Sequence, residues 1–199
     1  GTTSLGGNVT TTGAQTYTGA VTMTADRTLS STSNGAINLA AINGAFALTI
    51  SNGSGAITLS TVGATTPLTT FTLQGTGLNT LNGDINTTGA VDLKGTSRQN
   101  TFAANRTITT TNSSGNGNIT LGTTNSGYSL TLNPGGGSVS LGAVGVSANG
   151  QAAVPLASIT VSGTGTNTLT GSISSTGDVN LGSGRATTIS NSLTIGSGS

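Results

Sequence analysis

One short motif governs what this chain can fold into. It reads Gly, a small residue, a β-branched residue, a polar residue, then Leu or Met. It occurs as GAVTM from Gly19, GAINL from Gly35, GAITL from Gly55 and GAVDL from Gly89, and again as GNITL from Gly117, GSVSL from Gly137 and GDVNL from Gly177. Apolar and polar side chains alternate within it, which is the signature of a strand buried on one face. Several of the intervals lie near 20 residues or twice that, so the strands belong to a repeating architecture.

A longer repeat lies over the short one. DRTLSSTSNGAINL from Asp26 pairs with NRTITTTNSSGNGNITL from Asn105, a shift of 79 from Arg27 to Arg106. TPLTTFTLQGTGLNTL from Thr66 pairs with VPLASITVSGTGTNTL from Val154, a shift of 88 from Pro67 to Pro155. LGGNVTTTGAQTYTGAVTM from Leu5 matches LNGDINTTGAVDL from Leu81, a shift of 76. About two and a third copies of a unit near 80 residues are therefore present, approximately 5–80, 81–168 and 169–199. Strand-like segments follow one another across turns of Asn-Gly, Ser-Gly or Gly-Thr-Gly, which tolerate positive φ. No linker-like break separates the copies, so one continuous stack over residues 1–199 is expected rather than separate domains.

The reading is an all-β fold, a parallel β-helix (β-solenoid) with coils of about 20 residues, four to each long repeat, and some ten coils in a rod of order 50 Å. Its inward rows are predicted to include Ile37, Leu39, Ile57, Leu59, Val91, Leu93, Ile119, Leu121, Val139, Leu141, Val179 and Leu181, with Thr, Ser and Asn facing out. Composition agrees. Gly fills 33 of 199 positions, Thr about a fifth, and charged residues only 5%. Disordered chains combine low hydrophobicity with high charge. Here 32% of residues are apolar and the mean hydropathy is +0.09.

The run TTGAQTYTGAVTMTADRTL, then NGAINL, ALTISNGSGAITL and TPLTTFTLQGTG, resembles the repeats of filamentous-haemagglutinin-like and autotransporter-type bacterial adhesins. The resemblance covers nearly the whole chain. It implies a right-handed helix, export to the cell surface or beyond, and service as a long stalk or adhesive shaft. The targeting and transport regions of that family have no counterpart in these residues.

Catalysis is not expected. Nucleophilic mechanisms lack a partner for Ser or Thr, because the chain has neither His nor Cys. Glycoside hydrolysis needs paired carboxylates, and the only acids are Asp26, Asp84, Asp92 and Asp178. Across the long repeat these fall opposite Asn105, Ser172, Asn180 and Ala90, so each reads as a surface or turn residue. Zn sites lack their ligands. Pro134-Gly135-Gly136-Gly137 lacks the Asp of a calcium-binding solenoid motif. Gly75-Thr76-Gly77 and Gly163-Thr164-Gly165 lack the Lys and helix of a phosphate loop and read as turns. The chain thus predicts no catalytic, cofactor or metal site.

Arg27 and Arg106 share a repeat position, as do Pro67 and Pro155. We expect coil edges, where Arg caps carbonyls and Pro fixes a corner, rather than a ligand-binding row. Phe46 and Tyr128 also align, which suits internal stacking. Lys94 and the four Arg are scattered, so nucleic acid is excluded as a partner. No apolar run is long enough to insert in a membrane. Gly1 opens directly into repeat-like sequence, which predicts removal of a leader or an origin within a longer chain. No polar cap is visible at Gly1 or Ser199, so further coils or stacked subunits are expected to cover the ends.

Three functions follow. The first is a structural segment of a secreted surface fibre that self-associates through its ends. The second is an adhesin module for surface glycans, for which the irregular insertion GVSANGQAAV from Gly145 is the one candidate loop. The third is an ice-binding solenoid, disfavoured because the Thr positions do not share a single phase from coil to coil.

Overall fold

In the computed structural model, described for residues 1–112, 115–146, 150–190 and 192–197, the chain is a β-solenoid of about nine turns with coils about 22 residues apart. Every coil contributes one short strand to each of three sheets, and all strand pairing is parallel. The first sheet stacks Thr3–Leu5, Val21–Met23 and Ile42–Asn43, then Ile85–Thr87, Arg106–Thr110, Leu130–Asn133, Ile159–Val161 and Val179–Asn180. Val62 bridges its two blocks, pairing with both Ile42 and Ile85. The second sheet is unbroken through Val9–Thr11, Arg27–Ser31, Ala47–Ser51, Thr70–Gln74, Val91–Asp92, Ile119–Leu121, Val139–Leu141, Asn167–Leu169 and Thr187–Ile189. The third contains Gln15–Tyr17, Ile37–Leu39, Ile57–Leu59, Leu78–Leu81, Gln99–Phe102 and Thr123–Thr124, and the Val144 bridge links it to Ile173–Ser175 and Ile195–Ser197.

Alternation places the Ile, Leu and Val of each strand inside. Ile37, Leu39, Ile57, Leu59, Val91, Leu93, Ile119, Leu121, Val139 and Leu141 are buried in one continuous core. Val179 and Leu181, near the C-terminal end, are only half-buried against it. Because the strands are two to five residues long, burial per strand is small, and stability is a sum over neighbouring coils.

The long repeat does not equal four coils of 20. Nine strands and the Val62 bridge lie between Arg27–Ser31 and its counterpart Arg106–Thr110, which places the counterpart eleven strand positions on. With three strands per coil this is three and two-thirds coils. Successive copies are therefore turned by one face. Arg27–Ser31 lies in the second sheet and Arg106–Thr110 in the first, while Val62 lies in the first and Val144 in the third. The physical reason is that stacking demands only an inward apolar residue at each rung, and every face supplies one. The sequence repeat is free to drift around the rod.

The Gly-Thr-Gly segments are turns between strands, with Gly75 at φ 100° and Gly163 at φ 82°. A second constraint acts at Gly77, where a Cβ would lie 2.0 Å from the Gly55 carbonyl oxygen of the coil below. Gly165 stands in the same relation to Gly137, again at 2.0 Å. Close stacking of coil corners, rather than phosphate contact, requires these glycines.

Candidate functional site

Three of the four carboxylates have structural partners. Asp26 Oδ1 accepts the Ala47 amide at 2.8 Å and Asp84 Oδ1 the Thr107 amide at 2.9 Å, each one coil further along. Asn residues elsewhere do the same: Asn8 accepts from Thr28 at 2.9 Å, and Asn105 from Ser129 at 3.0 Å. The shared duty explains why Asp26 falls opposite Asn105 in the repeat. Asp92 Oδ1 accepts the Lys94 amide at 2.9 Å within its own turn, as Asn180 accepts from Gly182 at 2.9 Å. Asp178 is exposed. Among the described residues no group of three or more acidic, His or Cys side chains could hold a metal ion.

Arg27 and Arg106 cap carbonyls, in matching geometry. Arg27 donates to the carbonyls of Leu5 at 3.0 Å, Asp26 at 2.8 Å and Gly6 at 2.8 Å. Arg106 donates to those of Leu81 at 3.1 Å, Asn105 at 2.8 Å and Asn82 at 2.8 Å. They stand on different sheets and cannot form one row. Pro67 and Pro155 each precede a residue that bridges to the next coil, Leu68 to Thr87 in the first sheet and Leu156 to Ser175 in the third. Phe46 is partly buried and packs against the core, as expected, but Tyr128 does not. Tyr128 is 43% exposed, and the one-face offset sends the two rings to different faces.

Sequence reading missed the most heavily bonded side chain among the described residues. Arg98 is fully buried. Its Nε donates to the Gln74 carbonyl at 2.9 Å, one terminal nitrogen to Asn79 Oδ1 at 3.0 Å and the Gly55 carbonyl at 3.3 Å, and the other to Asn52 Oδ1 and the Gly53 carbonyl. These partners lie on the two coils below its own, and all are neutral oxygens. Burial lowers its pKa to about 10. Asn79 also donates to Asn100 Oδ1 at 2.9 Å, extending the polar core along the third sheet. Arg185 repeats the arrangement a repeat later, with Asn167 Oδ1 at 2.9 Å and the carbonyls of Ser162 and Thr166 at 3.0 Å. Burial lowers its pKa as well. The available signal was the pair LKGTSR and LGSGR, each following a GxVxL strand.

Three shallow grooves flank these arginine turns. One of about 390 Å³ lies between Thr72, Gln74, Asp92 and Thr96, and its repeat counterpart of about 260 Å³ lies between Thr160, Ser162, Asn180 and Ser183. A third of about 380 Å³ is lined by Ser54, Thr76, Ser97, Gln99 and Gln151. Gln151 belongs to the insertion from Gly145, of which residues 147–149 lie outside the described residues. Asn125 anchors that insertion, donating to the Ala152 carbonyl at 2.8 Å and accepting the Val154 amide at 2.7 Å. Asn43 holds the shorter first-repeat loop likewise, accepting the Thr65 amide at 2.9 Å.

The expectation that Thr positions share no phase fails on one face. The outward row of the second sheet runs Thr28, Thr49, Thr72, Asp92, Thr120, Ser140, Thr168 and Thr188. Unequal turns hide this register in the sequence, and Asp92 interrupts the row midway.

No family model, no curated protein and no solved structure matches this chain.

Proposed function

We propose that this chain is a shaft segment of an extracellular bacterial surface fibre, with a mechanical and spacing role and no catalytic one. The observation that carries the reading is the uninterrupted parallel stack of about nine coils around one apolar core. A stack of like coils lengthens by repetition without changing its cross-section, which suits a spacer. Neutral Thr, Ser and Asn rows along the sides suit a shaft that spaces other parts without attracting charged partners.

Electron microscopy of the purified protein across a range of concentrations tests the reading. Unbranched fibres a few nanometres wide support end-to-end stacking of copies, and dispersed short rods support coils continued within a longer chain. Compact globules would remove the basis for a shaft.

A further inference from the structure

Comparison of the two repeat copies separates scaffold from departures. The grooves beside Asp92 and Asn180 are lined by matching residues, Thr72 with Thr160 and Gly75 with Gly163, so the fold itself generates them. The groove of about 380 Å³ on the third sheet is different. Its Ser54, Ser97 and Gln99 fall opposite Gly136, Gly184 and Ala186. The counterpart turn is one residue shorter and carries Gly184 at φ 77°, so these side chains belong to the first copy alone.

The fourth departure meets the others there. Val62 to Leu68 is the loop of the first repeat, and Val144 to Leu156 is its counterpart, longer by six residues because the shift grows from 82 to 88. The longer loop supplies Gln151. Gln99 Nε2 donates to Gln151 Oε1 at 2.9 Å across 52 residues of sequence. Gln99 is fully buried, and its Oε1 has no hydrogen-bond partner. A buried acceptor left unpaired costs free energy unless something else supplies a donor.

We propose that this groove binds an uncharged saccharide. Gln99 Oε1 accepts a ligand hydroxyl once the exposed Gln151 side chain turns outward. Ser54, Thr76 and Ser97 offer hydroxyls that both donate and accept, as sugar hydroxyls do. No ionic side chain lines the groove, so sulfated or carboxylated sugars have no partner there. This site is lateral and independent of whether the rod ends stack.

The test uses the full chain with cellotetraose, maltotetraose and chitotetraose as neutral probes and a heparin tetrasaccharide as the charged one, by saturation-transfer NMR and calorimetric titration. At least one neutral probe should bind at millimolar concentration or below. Gln99→Ala should weaken that binding tenfold or more with the thermal midpoint unchanged, a loss of about 1.4 kcal/mol or more, whereas Gln151→Ala removes the covering side chain and should leave binding as tight or tighter. Gln99→Ala should fold, because Ala186 occupies its repeat position. The proposal is overturned if no neutral probe binds, if only heparin binds, or if binding survives Gln99→Ala.

Discussion

Arg98 and Arg185 hold one position of the long repeat on different faces of the rod. Arg98 donates to Asn79 Oδ1 at 3.0 Å, and Arg185 donates to Asn167 Oδ1 at 2.9 Å. Each also reaches carbonyls two coils below, at Gly55 and Gly137. Each guanidinium acts as a clamp through the core of three stacked coils. Its five donors suit this because every coil corner offers an inward carbonyl.

Removing Arg98 strands Asn52 Oδ1, Asn79 Oδ1 and several carbonyls in a dry interior. Arg98→Ala should destabilise the protein by roughly 3 kcal/mol or more. Arg185 is slightly less buried, and Arg185→Ala should cost about half as much. Urea unfolding followed by circular dichroism measures both. Equal small effects would show that water replaces the guanidinium without penalty.

Corner packing makes a second prediction. Gly77→Ala puts a methyl 2.0 Å from the Gly55 oxygen, whereas the Cβ of Gly13→Ala meets nothing within 4 Å. The first should cost about 1–3 kcal/mol by overpacking, and the second should be neutral or slightly stabilising. Thermal unfolding of the pair checks the contrast. Matching midpoints would refute close coil stacking at Gly55.

The pH response follows from the residue inventory. No side chain has an ordinary pKa between those of carboxylates and Tyr, since His and Cys are absent. Arg98 in the fold titrates at about 10 through burial, below its unfolded value. The unfolded chain therefore binds more protons above pH 10, so this group adds stability as pH rises beyond that point and adds no slope below it. Tyr17 works oppositely: burial raises its pKa, so its contribution is present below the unfolded Tyr value and is lost as pH rises through the folded one. The thermal midpoint should be flat from about pH 5 to 9. A shift of several degrees inside that window would contradict the account.

Strand identity and inward rows were legible because alternation and burial obey the same period of two: Ile57 and Leu59 face in for the reason their spacing suggests. Capping by Arg27 and Arg106 was legible for a similar local reason, Arg being the one side chain able to gather several carbonyls at a corner. The coil count was not. Alternation within a strand carries no information on how many strands make a turn, and loops of unequal length blur the interval. The error propagated to Phe46 and Tyr128, aligned by sequence yet on different faces. Arg98 escaped notice because scarce charges look scattered in one dimension, and a buried arginine with only neutral partners leaves no opposite charge to search for.

Asp84 decides whether the acids here serve structure. Its carboxylate accepts the Thr107 amide one coil on, a duty that Asn8 and Asn105 perform with a neutral amide oxygen. The hydrogen bond needs an acceptor at that place and not a charge. Asp84→Asn should therefore leave stability within a few tenths of a kcal/mol, while Asp84→Ala should cost about 1 kcal/mol by leaving the Thr107 amide without its partner. Amide hydrogen exchange at Thr107 reads this site directly: protection should persist in the Asn variant and fall in the Ala variant. If Asn loses as much as Ala, the negative charge itself is required, and Asp84 has a role beyond joining two coils.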